Sequence, residues 1–477
     1  MRGGFGGRSA PDQVRADELP PGLDLAGTRV LVLGLAITGR EVARIVAERG
    51  ASVLASDAGE VSADIPGVEV ESGGHVRARD ELDSFDFVFA SPGISPLRGF
   101  LSDVIDRGVP VISELELGAR LTSAPVVAVT GTNGKTTVCR LAERMGREAG
   151  LDVYACGNLE TKFITAAVEH PDADAFVVEA SSFSLFFCDT FHSRVAIVTN
   201  VAPDHLDWHG TFEHYRDAKA KIASRQARGE LYLYPASQPE LASFAPDDGP
   251  ERLPFGAELP SDDQGSDLAF VDGDEIVVLR GTDELRAPGA SHLTSRGPHF
   301  GADAAAAAAA MSVVGADTGA IGRAMQGFTF DSHRLEPVGE RDGVRAIDDS
   351  VATNTHATLA ALRTFDVPIV LIAGGRNKGI DLGPLASEAR RLRSVVAIGE
   401  AAPDVARVFD GAVGMDNSPV FVGIASSMRE AVAMSVERAR TGDVILLSPA
   451  CASHDMFTNY AQRGRAFRDA CVEAGFR

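Results

Sequence analysis

Lys135 follows a Gly131-Thr132-Asn133-Gly134 turn and is followed by Thr136 and Thr137, so an amine and two hydroxyls arrive together behind a glycine-rich loop. Backbone N–H groups in such a turn face an anion, the lysine reaches a terminal phosphate, and the Thr136 hydroxyl can ligate Mg²⁺ beside it. The strict phosphate-loop pattern has glycine five residues before Gly134; Val129 stands there, so the loop is a variant. A second set is Glu179-Ala180-Ser181-Ser182-Phe183, whose carboxylate at a strand end can complete a Mg²⁺ site with Thr136 or be a solvated glutamate. A third is Pro203-Asp204-His205-Leu206-Asp207-Trp208-His209-Gly210: two histidines and two aspartates suit a metal or a nucleotide, and a hydrogen-bonded loop histidine is the alternative. The helix beginning at His214 can bring Lys219 back toward that loop. Lysine is scarce, five residues against forty arginines, and Lys135, Lys219 and Lys378 each sit in a motif. Lysine can lose its proton where arginine cannot, which suits sites needing an amine or a compact charge.

These groups need elements to hold them. Val126 to Thr130 has the length of a buried strand and leads through the turn into a helix, so Lys135 sits at a helix start. Upstream, Arg29 to Leu33 reads as a strand, then Gly34 to Gly39 as a turn, then a helix with Val42, Ile45 and Val46 on one face and Gly50 at its end. A strand over Ala51 to Ala55 leads to Asp57. The unit is Rossmann-like with Ala36 where a dinucleotide fingerprint has glycine, which leaves nicotinamide binding, nucleotide-sugar binding and close helix packing all open. Phe87 to Ala90 runs into Ser91-Pro92-Gly93, a turn at the carboxyl edge of the sheet, and Val109 to Ile112 with Glu114 to Leu117 closes the unit. Ala175 to Glu179 and Val195 to Asn200 are further strands; Pro246 to Asp267 reads as a surface excursion, and the alanine run Ala304 to Ala310 as tight helix packing. Past Phe330, strands over Val344 to Ile347, Pro368 to Ala373, Val395 to Ile398 and Val444 to Leu447 predict another parallel sheet. Their ends carry Asp348-Asp349-Ser350, Gly374-Gly375-Arg376-Asn377-Lys378-Gly379 and Ser448-Pro449-Ala450-Cys451-Ala452-Ser453, three polar loops at one edge and therefore a pocket. The chain predicts an α/β protein of three domains: a tail over 1–24, a Rossmann-like sheet over 25–123, a phosphate-loop domain over 124–331 and a Rossmann-like sheet over 332–477.

Composition narrows the function. A net charge of −22 and a pI near 4.9 argue against a nucleic-acid or anionic-membrane surface, so anionic ligands must be met by local cationic pockets. Five cysteines without CxxC spacing read as reduced cytoplasmic thiols. No apolar run has the length of a membrane span, and the first residues lack the apolar core of a signal peptide.

Past residue 25 the chain resembles the Mur ligases of peptidoglycan synthesis. The likeness is carried by GTNGKTT at 131–137, GN at 157–158, EASSF at 179–183, PDHLDWHG at 203–210, YRDAK at 215–219, HR at 333–334, DDS with ATN at 348–354, GGRNKG at 374–379, and LLSPACAS followed by FTNYAQRG at 446–464. The last two sets resemble the branch of the family that adds D-glutamate. The resemblance implies an ATP-dependent ligase that joins D-glutamate to UDP-N-acetylmuramoyl-L-alanine through an acyl phosphate. It further implies that Gly131, Thr132, Asn133, Gly134, Lys135, Thr136 and Thr137 hold ATP, helped by Arg334 and Asp349. Two Mg²⁺ ions are implied, with Thr136 and Glu179 on one, His205 on the second, and Lys219 carbamoylated beside them. Thr38, Ser91, Pro92 and Gly93 would meet the uridine diphosphate and Asp57 the uracil; Asn158 and Ser181 the muramoyl-alanine; Thr353, Lys378, Ser453 and Tyr460 D-glutamate. Val351 stands where the family has lysine, Phe300 and Asp303 where it has asparagines, Ser184 for glutamine, Leu159-Glu160 after GN for Ile-Gly, and Ala58-Gly59 for polar residues. A cytoplasmic monomer is expected, with no nucleic acid and no membrane insertion. Two other readings are a Mur-type ligase with a different acceptor and a non-catalytic nucleotide-binding paralogue.

Overall fold

A computed structural model describes residues 24–258 and 267–477. It is an α/β protein with three sheets. The first holds β1 (Arg29–Leu33), β2 (Ser52–Ser56), β3 (Val68–Glu71), β4 (Phe87–Ala90) and β5 (Val111–Ile112), all parallel, in the order 3-2-1-4-5. Val30 to Leu33 and Phe87 to Ala90 are buried on both faces, which is why they read as continuous apolar runs. The order reverses beside β1, so the turns after β1 and β4 open a crevice at the carboxyl edge.

The second sheet has nine strands: β6 (Val126–Thr130), β7 (Val153–Gly157), β8 (Ala175–Glu179), β9 (Val195–Val198), β10 (Leu231–Pro235), β11 (Glu251–Phe255), β12 (Leu268–Asp272), β13 (Glu275–Arg280) and β14 (Asp283–Pro288), in the order 14-13-12-11-10-9-6-8-7. β6 lies between β8 and β9, parallel to both, so the loops after these three strands share one edge. β13 runs antiparallel to its neighbours β12 and β14. β11 corrects the expectation of a surface excursion over Pro246 to Asp267: Glu251–Phe255 pairs in register with Leu231–Pro235 and buries Leu253 and Phe255. Residues 259–266 of that stretch, like residues 1–23 of the expected tail, lie outside the described residues. All seven alanines from Ala304 to Ala310 are buried in the helix Pro298–Val314, in agreement with the packing role.

The third sheet holds β15 (Glu336–Arg341), β16 (Val344–Asp348), β17 (Ile369–Gly374), β18 (Leu392–Ile398), β19 (Phe421–Ala425) and β20 (Val444–Leu447), in the order 15-16-20-17-18-19. It is parallel as expected except at β15, which runs antiparallel to β16. With β20 between β16 and β17, the three polar loops after these strands emerge side by side. By compactness the chain divides into two units, one of residues up to 201 with 208–290 and 302–326, the other of 202–207, 291–301 and 327–477. Among the described residues no helix is long and apolar enough to cross a membrane, and all five cysteines are free and buried.

Candidate active site

In the first unit, the loop after β6 is built by close approach. Gly131 has φ +146° and a Cβ there would meet Thr199 Oγ1 at 1.8 Å; Gly134 has φ +88° and a Cβ would meet Asp303 Oδ1 at 2.6 Å. Only glycine fits either place. The loop is also pinned from the end of β9: Thr132 N–H donates to the Asn200 carbonyl at 2.8 Å and Asn133 N–H to Asn200 Oδ1 at 3.0 Å. Gly134 caps the helix Lys135–Glu148, so Lys135, Thr136 and Thr137 form its first turn, where the partial positive charge of a helix start favours an anion. Lys135 Nζ is held over the loop, 3.0 Å from the carbonyls of both Gly131 and Thr132.

Glu179 ends β8 and is buried. Its Oε2 accepts from Thr136 Oγ1 at 2.8 Å and its Oε1 from Asn158 Nδ2 at 2.8 Å, so three sequence-predicted residues meet through one carboxylate. A carboxylate and a hydroxyl in one corner are the hard oxygen donors that Mg²⁺ prefers. Lys219, near the end of the helix Phe212–Ala220, is 2% exposed; its Nζ donates to the Gly131 carbonyl at 2.7 Å and lies 4.6 Å from the Tyr215 ring centre. A buried lysine therefore touches the phosphate loop itself. Ser181 is buried as the cap of the short helix Ser182–Phe186, accepting from Ser184 N–H at 3.0 Å, which gives Ser184 a partner within the motif. The two residues after Asn158 are also engaged: Lys162 Nζ donates to the Leu159 carbonyl at 2.6 Å, and Glu160 pairs with Arg140 at 2.6 Å.

At the first sheet's edge, Asp57 accepts from Leu35 N–H at 2.7 Å and from Gly59 N–H at 2.9 Å, while buried Ser91 donates to the Gly34 carbonyl at 2.9 Å. Gly39 packs against that turn so closely that a Cβ would lie 1.8 Å from the Gly34 carbonyl oxygen. Of the three readings left open by the sequence, close helix packing is thus present. Thr38, in the first turn of the helix Ile37–Glu48, is half-buried, as is Pro92, and Gly93 is exposed.

In the second unit, Asp204 is buried and gathers three donors: Lys378 Nζ at 2.7 Å, His205 N–H at 2.8 Å and Asn354 Nδ2 at 3.0 Å. Burial pushes its carboxyl up, but His205 and Lys378 outweigh that and hold it below the usual aspartate value. His205 sits at φ +53°, a left-handed conformation rare for a non-glycine residue. At the end of β16, Asp348 accepts from or shares a proton with His333 Nδ1 at 2.7 Å. Asp349 accepts from Ser448 Oγ at 2.9 Å and Leu335 N–H at 3.2 Å, and burial pushes its carboxyl up to about 7. Arg334 has a buried Nε without a hydrogen-bond partner among the described residues. Thr353 is half-buried, Ser453 buried and Tyr460 exposed, 44%. Val351 is half-buried and donates its N–H to the His333 carbonyl at 3.2 Å; Phe300 is fully buried against the edge of the Phe330 ring, 4.9 Å between centres.

Two residues escaped sequence reasoning as site residues. Arg463 is fully buried and ties two of the polar loops together, donating to Ser350 Oγ at 3.0 Å, the Ser350 carbonyl at 2.8 Å and the Cys451 carbonyl at 2.9 Å. Its only signal was its place in FTNYAQRG. Asp303, noted as a departure, lies against Gly134 in the first unit.

The Mur ligase middle domain matches residues 129–311, and the Mur ligase glutamate ligase domain residues 333–451. UDP-N-acetylmuramoylalanine--D-glutamate ligase of Pelotomaculum thermopropionicum is 36% identical, with 94% of this chain and 98% of that protein covered. The protein of the same name from Thermobifida fusca is 37% identical over 93% of this chain and 98% of its own. Among solved structures, the pseudomurein peptide ligase type C of Methanothermus fervidus matches with a TM-score of 0.57 at 18% identity, covering 94% of this chain and 100% of that one. The MurF ligase of Thermotoga maritima in complex with ADP matches with a TM-score of 0.57 at 15% identity, covering 97% and 98%.

Proposed function

The chain belongs to the Mur ligase family, and we propose that within it this protein joins D-glutamate to UDP-N-acetylmuramoyl-L-alanine using ATP, in peptidoglycan synthesis. One observation carries the choice of reaction: relatives of that name, 36% and 37% identical, run along 94% and 93% of this chain. In the reaction an oxygen of the alanyl carboxylate attacks the γ-phosphorus of ATP, the bond to the β-phosphate oxygen breaks, and ADP leaves. The amine nitrogen of D-glutamate then attacks the acyl carbon; the C–N bond forms, the acyl C–O bond breaks with its oxygen leaving in the phosphate, and the ammonium gives up two of its three protons to solvent or base, the amide keeping one N–H.

Both partners of the first step are anions, so the chain must offset charge. Gly131 to Thr137 offer backbone N–H groups, two hydroxyls and the Lys135 ammonium at a helix start, and Arg334 and Asp349 are proposed as further ATP contacts. Mg²⁺, when bound, offsets phosphate charge; Thr136 and Glu179 would hold one ion and His205 is proposed for a second. We assign Lys219 as carbamoylated: the adduct keeps one N–H for the Gly131 carbonyl, the contact its amine makes at 2.7 Å, and gains anionic oxygens. Thr38, Asp57, Ser91, Pro92 and Gly93 are proposed for the uridine diphosphate end, Asn158 and Ser181 for the muramoyl-alanine, and Thr353, Lys378, Ser453 and Tyr460 for D-glutamate. The proposed domains are 25–123, 124–331 and 332–477, in a cytoplasmic monomer. The test is phosphate release with UDP-N-acetylmuramoyl-L-alanine, ATP, Mg²⁺ and D-glutamate. Omission of any one is expected to stop release, and a clear preference for another amino acid would reassign the acceptor.

A further inference from the structure

The loop after β17 and the loop after β20 enclose a cavity of about 670 Å³ in the second unit, with Leu206 and Asp207 on another wall. The two loops are locked together by backbone. Arg376 N–H donates to the Ala452 carbonyl at 2.8 Å and Ala452 N–H returns to the Arg376 carbonyl at 3.0 Å, an approach so close that a Cβ at Gly375 would meet the Ala452 oxygen at 2.3 Å. This fixes Arg376 beside His454, two residues past Ala452. Among the charged and polar side chains lining the cavity, Lys378 is bound to Asp204, and Asn377 is spent closing its own loop on Ile380 at both amide atoms. Arg376, His454 and Asp207 also line it and are exposed, and their side chains have no hydrogen-bond or ion-pair partner among the described residues.

The cavity therefore shows two cationic positions, an imidazole and one carboxylate. That is the complement of a zwitterion with two carboxylates and one ammonium. Lys378 is bound to Asp204, three residues before Asp207, while Arg376 is paired through its backbone with Ala452, two residues before His454. His205, next to Asp204, is proposed above for the second Mg²⁺ at the phosphate being transferred, so on that reading the reacting amine belongs near Lys378 and Asp207, which leaves Arg376 and His454 to whatever extends beyond the α-carbon. We infer that Arg376 and Asp207 set the amino-acid specificity: Arg376, flanked by His454, takes the distal carboxylate through its planar guanidinium, and Asp207 receives the α-ammonium before it is deprotonated for attack. The site is then selective for a dicarboxylic amino acid, and Lys378 has a partner in the task.

Arg376→Ala, Arg376→Lys and the wild type are compared in the phosphate-release assay with saturating ATP and UDP-N-acetylmuramoyl-L-alanine. The acceptors are D-glutamate and D-2-aminopentanoate, which lacks the distal carboxylate. A charge-assisted pair lost at this position corresponds to a rise in KM for D-glutamate of roughly 10- to 100-fold. The KM for ATP and the melting temperature are expected to stay unchanged, the Lys variant to recover part of the loss, and the preference for D-glutamate over D-2-aminopentanoate to shrink by the same factor. An unchanged KM for D-glutamate in Arg376→Ala, or a wild type that uses D-2-aminopentanoate as well as D-glutamate, overturns the inference and leaves the ligase reading standing. A wild type inactive with D-glutamate but active with another dicarboxylic amino acid overturns that reading instead and supports the inference. A best acceptor with a single carboxylate overturns both.

Discussion

A buried lysine with its amine on a backbone carbonyl is the residue that most sharply separates chemistry from packing. Lys219 Nζ lies 2.7 Å from the Gly131 carbonyl, so a purely structural lysine would brace the phosphate loop, whereas a carbamate would also bring negative oxygens to it. The two roles diverge under substitution. For the carbamate, Lys219→Ala is expected to lower turnover about 100-fold or more, the scale on which loss of one preorganised charged group is felt, and acetate is expected to restore part of the rate by standing in for the carbamate oxygens. Thermal melting of the variant, with and without acetate, separates this from a collapsed loop. A Lys219→Ala enzyme of near wild-type activity, or one whose loss acetate never relieves while its melting temperature falls sharply, contradicts the carbamate.

At the scale of elements, the helices Glu114–Ala119 and Phe163–Glu169 pack closely, Gly118 against Phe163 and Ile164, and one buried carboxylate bonds them. Glu114 is buried at the start of the first and its Oε1 accepts from Ile164 N–H at 2.8 Å in the first turn of the second. Burial pushes its carboxyl from 4.5 up to about 7, against the opposing pull of the Ile164 and Phe163 N–H groups and Lys162. A carboxyl whose folded value is raised binds its proton more tightly folded than unfolded. Its stabilisation is therefore full below about 4.5 and is lost as pH rises through about 7, some 3 kcal/mol in all. Asp349, also raised to about 7, has the same sign, so the contribution of Glu114 must be read against a variant. Relative to Glu114→Gln, the wild type is expected to lose about 3 kcal/mol of unfolding free energy between pH 4.5 and 8, followed by denaturant titration. A difference independent of pH would refute it. The same scale shows what the sequence could reveal. Strands buried on both faces, such as Val126–Thr130 and Val444–Leu447, were legible as apolar runs with polar ends. β11 was not, because Glu251, Arg252 and Pro254 give it the composition of a loop, and β14 was not, because its mostly exposed face carries Asp283, Glu284 and Arg286. The Lys135, Thr136 and Glu179 cluster was legible because each residue ends or follows such a strand. Arg463 was not, since an arginine is by default a surface residue and only packing reveals that its guanidinium closes two loops from inside.

For the molecule as a whole, the proposed reaction passes phosphate from ATP to a carboxylate before an amide forms. Phosphate release alone does not distinguish that route from hydrolysis of ATP by water. Oxygen does. UDP-N-acetylmuramoyl-L-alanine carrying ¹⁸O in both alanyl carboxylate oxygens is turned over with ATP, Mg²⁺ and D-glutamate, and the phosphate is analysed by mass spectrometry. An acyl-phosphate ligase must deliver one carboxylate oxygen to each phosphate, so the expected product is phosphate with a single ¹⁸O, equal in amount to the amide formed. Unlabelled phosphate, released whether or not amide accumulates, would contradict the account.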